Sequence, residues 1–321
     1  MLRSRHVAHV LAFHPRATSR LMSTPLFRSG ALILQDLASC FPAAVLSPPC
    51  DAGVYALDAT SAPGNKTSHL SALMHGNGSL IALERAPARY KTLERMLARA
   101  GCLADAGGNV SPQKHDFLAV EPTGDYERIQ YMLLDPSCSG SGIVNRLDYL
   151  TGNDDEQDNL EQIVPDERRA NSHRLAALAA LQQRMIRHAM TFPHLVRFTY
   201  STCSVHEEEN EQVVAAALAS PEAAAGGWRL APRADVLPTW PVRGRPEACD
   251  AALAECMVRC TPGGCSECAE GVVSAEATNG FFVACFVRHG AAGRPSVDAK
   301  RPAEADSPAP HSEHKRAKTR R

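Results

Sequence analysis

The chain has 321 residues, of which 44% are hydrophobic and 21% charged, with a formal net charge of -1. That length supports one large core with at most a small extra domain, and the composition is that of a soluble globular protein. No apolar stretch reaches ~18 residues, which argues against a membrane span. Near-neutrality excludes bulk attraction to nucleic acid, so any basic face must be local. Eleven cysteines sit among ordinary core-forming sequence. With no secretory signal recognised, they predict reduced thiols in an intracellular compartment rather than a disulfide framework. Cys40, Cys50, Cys102 and Cys285 read as inert core residues.

Residues 1–30 carry Arg3, Arg5, Arg16, Arg20 and Arg28 and no Asp or Glu. This Arg-rich stretch reads as the edge of a longer protein, with a mitochondrial transit peptide as the alternative. From residue 31 to 290, strand-like and helix-like segments alternate. Strands are predicted at Val54–Leu57 and Leu80–Leu83, before Asp135, before Cys203, and at Phe281–Val287. Helices are predicted from Lys66-Thr67, over Arg89 to Arg99, and over Leu175 to Met190. This alternation predicts an α/β fold, a mostly parallel sheet with helices on both faces. Residues 151–170 read as an acidic loop and 245–275 as a Cys-rich insertion. Residues 291–321 read as a disordered tail whose end, Lys315 to Arg321, holds five basic residues in seven.

Two cysteines follow buried apolar runs. Cys138 lies in Leu133-Leu134-Asp135-Pro136-Ser137-Cys138-Ser139-Gly140-Ser141-Gly142, and Cys203 in Tyr200-Ser201-Thr202-Cys203-Ser204. In open α/β sheets, ligands bind beyond the carboxyl ends of the strands, so both thiols are expected at that crevice. The loop Asp58-Ala59-Thr60-Ser61-Ala62-Pro63-Gly64-Asn65-Lys66-Thr67 follows a strand and opens a helix. Its small residues and the free N–H groups of the helix suit a ligand carboxylate or phosphate, and equally a tight turn. Glu84, at the next strand end, suits ribose hydroxyls or a plain charged terminus; Asp116 is similarly ambiguous. Ser204 and Glu207 have capping-box spacing, which predicts a helix starting at Ser204 and a dipole favouring the Cys203 thiolate, opposed by Glu207, Glu208 and Glu209 if they lie close.

Together, Asp58–Thr67, Asp135–Gly142 and Tyr200–Ser204 resemble the Sun-domain (Fmu/Nop-type) RNA cytosine-C5 methyltransferases. The likeness extends to Leu34–Cys40 and Gly280–Val283 and covers roughly residues 23–290. Within the family, the motifs are similar to those of the subfamily that modifies large-subunit ribosomal RNA. The resemblance implies a Rossmann-like class I methyltransferase domain using S-adenosylmethionine (SAM). It places Thr60, Ser61, Ala62, Pro63, Gly64, Asn65 and Lys66 at the methionine part, Glu84 at the ribose with Arg89 nearby, Asp116 near the adenine, and Asp135 between cofactor and base. It assigns attack on cytosine C6 to Cys203 and enzyme release to Cys138, with Asp135 as the acid near N3. Lys66 joins these as a catalytic candidate. Covalent addition is the chemical reason for a thiol: C5 alone is too poor a nucleophile, and the C6 adduct makes it an enamine.

The family usually has Cys-Ala where this chain has Thr60-Ser61, and it carries an N-terminal RNA-engaging region that is expected to be missing here. The resemblance implies RNA as partner, large-subunit rRNA or a pre-ribosome, and a monomer without membrane association. The basic run Lys315 to Arg321 suits nuclear import, which with an rRNA substrate predicts a nuclear, nucleolar location, and the Arg-rich start keeps the mitochondrion as alternative. Two other readings are a ribosome-assembly protein that binds RNA or SAM without activity, and a structural zinc module at Cys256, Cys260, Cys265 and Cys268. No metal site is expected.

Overall fold

The strand that carries the first predicted loop, β1 (Tyr55–Asp58), sits near the middle of an eight-stranded sheet in the computed structural model. The structure describes residues 2–143, 165–262 and 278–288. The further strands are β2 (Ser79–Leu83), β3 (Val110–Gln113), β4 (Tyr131–Leu134), β5 (Arg197–Thr202), β6 (Trp228–Leu230), β7 (Val258–Cys260) and β8 (Phe281–Arg288). Their order is β3-β2-β1-β4-β5-β8-β6, with β7 pairing β8. β1 to β5 are parallel to one another. β8 runs antiparallel to β5, β6 and β7.

The strands alternate their side chains between two buried faces, which is why they read as continuous apolar runs. Leu57, Met132, Leu134 and Phe198 pack on one face against Ile186 of helix α4 (Pro165–Met190) and Val214 of α5 (Glu211–Leu218). Ala56, Leu80, Ala82 and Leu133 pack on the other. They meet Leu46 of α1 (Leu37–Leu46), Leu70 of α2 (Asn65–Leu73) and Leu97 of α3 (Pro87–Arg99). The expected parallel sheet with helices on both faces is therefore present. Strand order reverses between β1 and β4, which places the ligand crevice at their carboxyl ends. Register brings Asp58 opposite Leu133 and Leu134 opposite Tyr200, so three loop starts converge there.

Three expectations change. α4 begins at Pro165, so residues 165–170 are helix rather than acidic loop; 151–164 lie outside the described residues. The first part of the Cys-rich stretch is built into the sheet, because β7 pairs β8 and buries Cys260. Cys265, Cys268 and residues 291–321 lie outside the described residues; among the described residues, no cluster suited to a metal ion occurs. Cys50 is exposed, its thiol donating to the Leu73 carbonyl at 3.1 Å, whereas Cys40, Cys102 and Cys285 are buried as expected. Within residues 1–30, Val7 is buried in the cluster holding Phe41 and Trp240, and Arg99 lies 4.9 Å over the Phe27 ring. Among the described residues, no helix is long and apolar enough to cross a membrane.

Candidate active site

Cys203 begins the loop immediately after β5, and Cys138 lies four residues beyond β4. Their sulfurs are 3.1 Å apart. Both loops are drawn together by backbone contacts. The Gly142 N–H donates to the Cys203 carbonyl at 2.9 Å, and the Gly280 N–H donates to the Gly142 carbonyl at 2.7 Å. A Cβ on Gly142 would lie 2.3 Å from the Gly280 oxygen, so this approach requires glycine.

Lys66, in the first turn of α2, pairs with Asp135 at 2.8 Å. The Asp135 carboxylate also accepts the Ser201 hydroxyl at 2.6 Å, and the Asp135 N–H donates to Thr60 Oγ1 at 2.9 Å. Burial alone would lower the Lys66 pKa, but the Asp135 carboxylate outweighs it and the ammonium is held above its ordinary range. The thiols are driven apart. The hydrogen bond from Cys138 lowers Cys203 against its burial and the repulsion of Asp135, and Lys66 lowers it further. Cys138 is raised by that same hydrogen bond and by burial. The pair is thus asymmetric: ionisation is favoured at Cys203 and disfavoured at Cys138, which suits Cys138 as the S–H donor of the contact. Asp58, fully buried at the end of β1, is pushed up to about 6 by burial, against hydrogen bonds from Thr67 and Thr60.

The predicted cofactor loop turns into α2 at Gly64, whose φ of 114° only glycine adopts readily. Arg89 holds this loop, donating to the Ala62 carbonyl at 2.7 Å, and faces Glu84 at 3.5 Å. Glu84 is 5% exposed and accepts the Ala86 N–H at 2.8 Å. Asp116 lies three residues beyond β3, the strand paired with the one that ends next to Glu84. It caps a short turn by accepting the Leu118 N–H and pairs with Arg85 at 3.6 Å.

A model of the family described as 16S rRNA methyltransferase RsmB/F matches residues 43–228. The chain belongs to the RsmB/F family. It is 39% identical over 280 residues to a 25S rRNA (cytosine-C(5))-methyltransferase of Schizosaccharomyces pombe, covering 87% of this chain and 54% of that protein. It is 41% identical over 275 residues to a 28S rRNA (cytosine-C(5))-methyltransferase of Mus musculus, covering 85% and 50%. The chain therefore spans about half the length of these curated relatives. A crystal structure of a methyltransferase homolog protein from Pyrococcus horikoshii superposes with a TM-score of 0.57 at 23% identity, over 84% of this chain and 72% of that one. The fold is the Rossmann-like class I methyltransferase fold.

Against the RsmB/F motifs, one sequence expectation is corrected. No helix starts at Ser204: a 3-10 turn covers Glu207–Glu209, and α5 begins at Glu211. Asn210 explains the delay. Its amide donates to the Ser204 carbonyl at 3.0 Å and accepts the Thr202 hydroxyl at 2.6 Å, holding the segment after Cys203 in a loop. The cation beside Cys203 is the Lys66 ammonium rather than a helix dipole. The sequence reading also missed Ser201, Gln182, Glu209 and Arg259. Arg259 makes two 2.6 Å contacts with buried Glu211 and donates to the Val205 carbonyl at 2.9 Å. The available signal was Glu209-Asn210-Glu211 just before an apolar helix, three polar residues that are all fully buried.

Proposed function

We propose that this chain transfers a methyl group from SAM to C5 of a cytosine in large-subunit ribosomal RNA, through a covalent bond between Cys203 and C6. The observation that carries the reading is the 3.1 Å thiol pair beside the Lys66–Asp135 ion pair, at the carboxyl ends of β4 and β5. The names of the two curated relatives support the same substrate class.

The fold family implies SAM, and the residues present fit it. Glu84 offers a buried carboxylate at a strand end, with one oxygen engaged by Ala86 and the other facing Arg89 only at 3.5 Å, which suits ribose hydroxyls. The turn at Gly64 brings backbone close to the crevice without a side chain. Bound there, SAM supplies an electrophilic methyl group. The chain's own residues do the rest. Cys203 adds to C6 as a thiolate, favoured by Lys66 and by the Cys138 S–H. Asp135, fixed by Ser201, Thr60 and Lys66, meets the N3 edge of the base, and the ammonium keeps a proton available to the pair. After transfer, the C5 proton is lost to water and the C6–S bond breaks. Cys138 donates its hydrogen bond to the departing sulfur.

The test is incubation of the chain with labelled SAM and large-subunit rRNA, followed by mapping of 5-methylcytosine. Label is expected in RNA with wild type and none with Cys203→Ala. Cys203→Ala should also give no adduct with RNA containing 5-azacytidine, and an undiminished adduct would overturn the assignment. We place the protein in the nucleus, at the nucleolus, because of this substrate and the basic run at residues 315–321. A tagged chain found in mitochondria would reject that location.

A further inference from the structure

Cys138 is held from both sides by buried groups. Gln182, on α4, donates both hydrogens of its amide, one to the Ser137 carbonyl at 3.0 Å and one to Glu209 Oε1 at 2.9 Å. The Ser139 N–H donates to Glu209 Oε1 at 3.0 Å and Oε2 at 3.2 Å. The residues immediately before and after Cys138 are therefore tied to one carboxylate–amide pair. Gln182 and Glu209 are both 0% exposed. Glu209 is itself fixed, because the Tyr200 hydroxyl donates to its backbone carbonyl at 2.6 Å.

A carboxylate without water is costly unless its oxygens are satisfied. Among the described residues, no Lys or Arg forms a salt bridge with Glu209. Its named side-chain donors are the Ser139 N–H and the Gln182 amide, and both belong to the clamp around Cys138. The sequence also places Glu209 six residues after Cys203, on the loop that β5 feeds. One residue thus joins the loop of one thiol to the loop of the other.

We propose that Glu209 is a positioning residue for the release step, setting the Cys138 S–H against the Cys203 sulfur through Ser139 and Gln182. The assignment to release rests on the methyl-transfer reading above; the positioning of the thiol pair does not. In release, water takes the C5 proton, and the C5–H electron pair closes the C5–C6 double bond. The C6–S pair returns to Cys203 as thiolate, which needs the Cys138 donor at hydrogen-bond distance.

Glu209→Gln keeps size and shape but sets an N–H against the Ser139 N–H or the Gln182 amide. Two measurements on the full chain test it. The first needs neither RNA nor SAM. Diamide closes the Cys138–Cys203 disulfide, taking up the two thiol hydrogens as it is reduced to its hydrazine, and mass spectrometry of the linked peptides gives the rate. Closure is expected to slow at least tenfold in Glu209→Gln, and closure at the wild-type rate overturns the proposal whatever the activity. The second uses SAM and large-subunit rRNA. Glu209→Gln should still form the RNA adduct, because Lys66 continues to favour the Cys203 thiolate, and should release it at least tenfold more slowly, like Cys138→Ala. Loss of adduct formation with unchanged release overturns the assignment to that step. A wild-type chain inactive on RNA, with disulfide closure still slowed in Glu209→Gln, would reject the methyl-transfer reading and leave the positioning standing. If Glu209→Gln does not fold, Gln182→Leu removes the amide alone and should slow closure in the same direction; an unchanged rate there overturns the clamp.

Discussion

The Thr60 hydroxyl accepts the backbone N–H of Asp135 at 2.9 Å, and so joins the loop after β1 to the loop after β4. The first loop is the candidate cofactor loop, and the second carries the carboxylate paired with Lys66. Removing the bond as Thr60→Val leaves the Asp135 N–H without that acceptor, a loss of about 1 kcal/mol and therefore roughly fivefold in methyl transfer. Thr60→Cys should fall between the two, since sulfur is a weak acceptor. Steady-state rates of all three proteins check this, and equal rates would reject the coupling.

Cys138→Ala should separate attack from release. Cys203 keeps the Lys66 ammonium, so addition to C6 remains possible, but the departing sulfur loses its donor. RNA–protein adducts on ordinary cytosine should accumulate in gels that show none for wild type. Adducts from Cys203→Ala together with none from Cys138→Ala would exchange the two roles.

Much of this site was legible as sequence because it sits at strand ends. The apolar runs ending at Leu134 and Thr202 fixed where Cys138 and Cys203 emerge, and Gly64 marked the turn into α2. The supporting shell was not legible. Sequence offers Glu209 and Glu211 no visible partner, yet both are fully buried, because their partners come from elements remote in sequence, Gln182 and Arg259. The false capping box at Ser204 and Glu207 has a similar cause. Spacing alone satisfied the pattern, while Asn210 took the Ser204 carbonyl instead. β7 was missed because a three-residue strand gives no periodicity, and only its partner β8 defines it.

Glu84→Ala should weaken SAM binding. A buried carboxylate accepting hydroxyl donors makes charge-assisted bonds, so the expected loss is on the order of 1.5–3 kcal/mol. Calorimetric titration measures it directly. Asp116→Ala makes the contrast: its described partners are Arg85 and the Leu118 N–H, so a larger loss there than at Glu84 would move the ribose site.

Asp58 should make stability depend on pH in an unusual direction. Its pKa is about 6 in the folded protein against 3.8 ordinarily. A raised folded value means that the folded state keeps its proton after the unfolded state has lost it. The contribution is complete below about 4 and is lost as pH rises through about 6, by roughly 3 kcal/mol in all. Asp58→Asn has no proton to lose. The stability difference between wild type and Asp58→Asn, from urea unfolding at several pH values, should shift against wild type across that window. A difference independent of pH would rule the effect out.

Arg259 and Glu211 form a buried pair with two 2.6 Å contacts, and each has a second task. Arg259 donates to the Val205 carbonyl, two residues past Cys203, and Glu211 accepts the Arg245 N–H at 2.9 Å. Removing one partner leaves an uncompensated buried charge, which costs about 3–5 kcal/mol. Arg259→Met and Glu211→Met should each lose that much in urea unfolding. The double variant removes both charges and should recover a large part of it, because the desolvation of the ions disappears together with their attraction. Activity should not recover with stability, since the double variant still lacks the donor that holds Val205 and the loop behind Cys203. Additive losses in stability would show that the two residues act independently, and full activity in the double variant would show that the Val205 contact does not position the thiol.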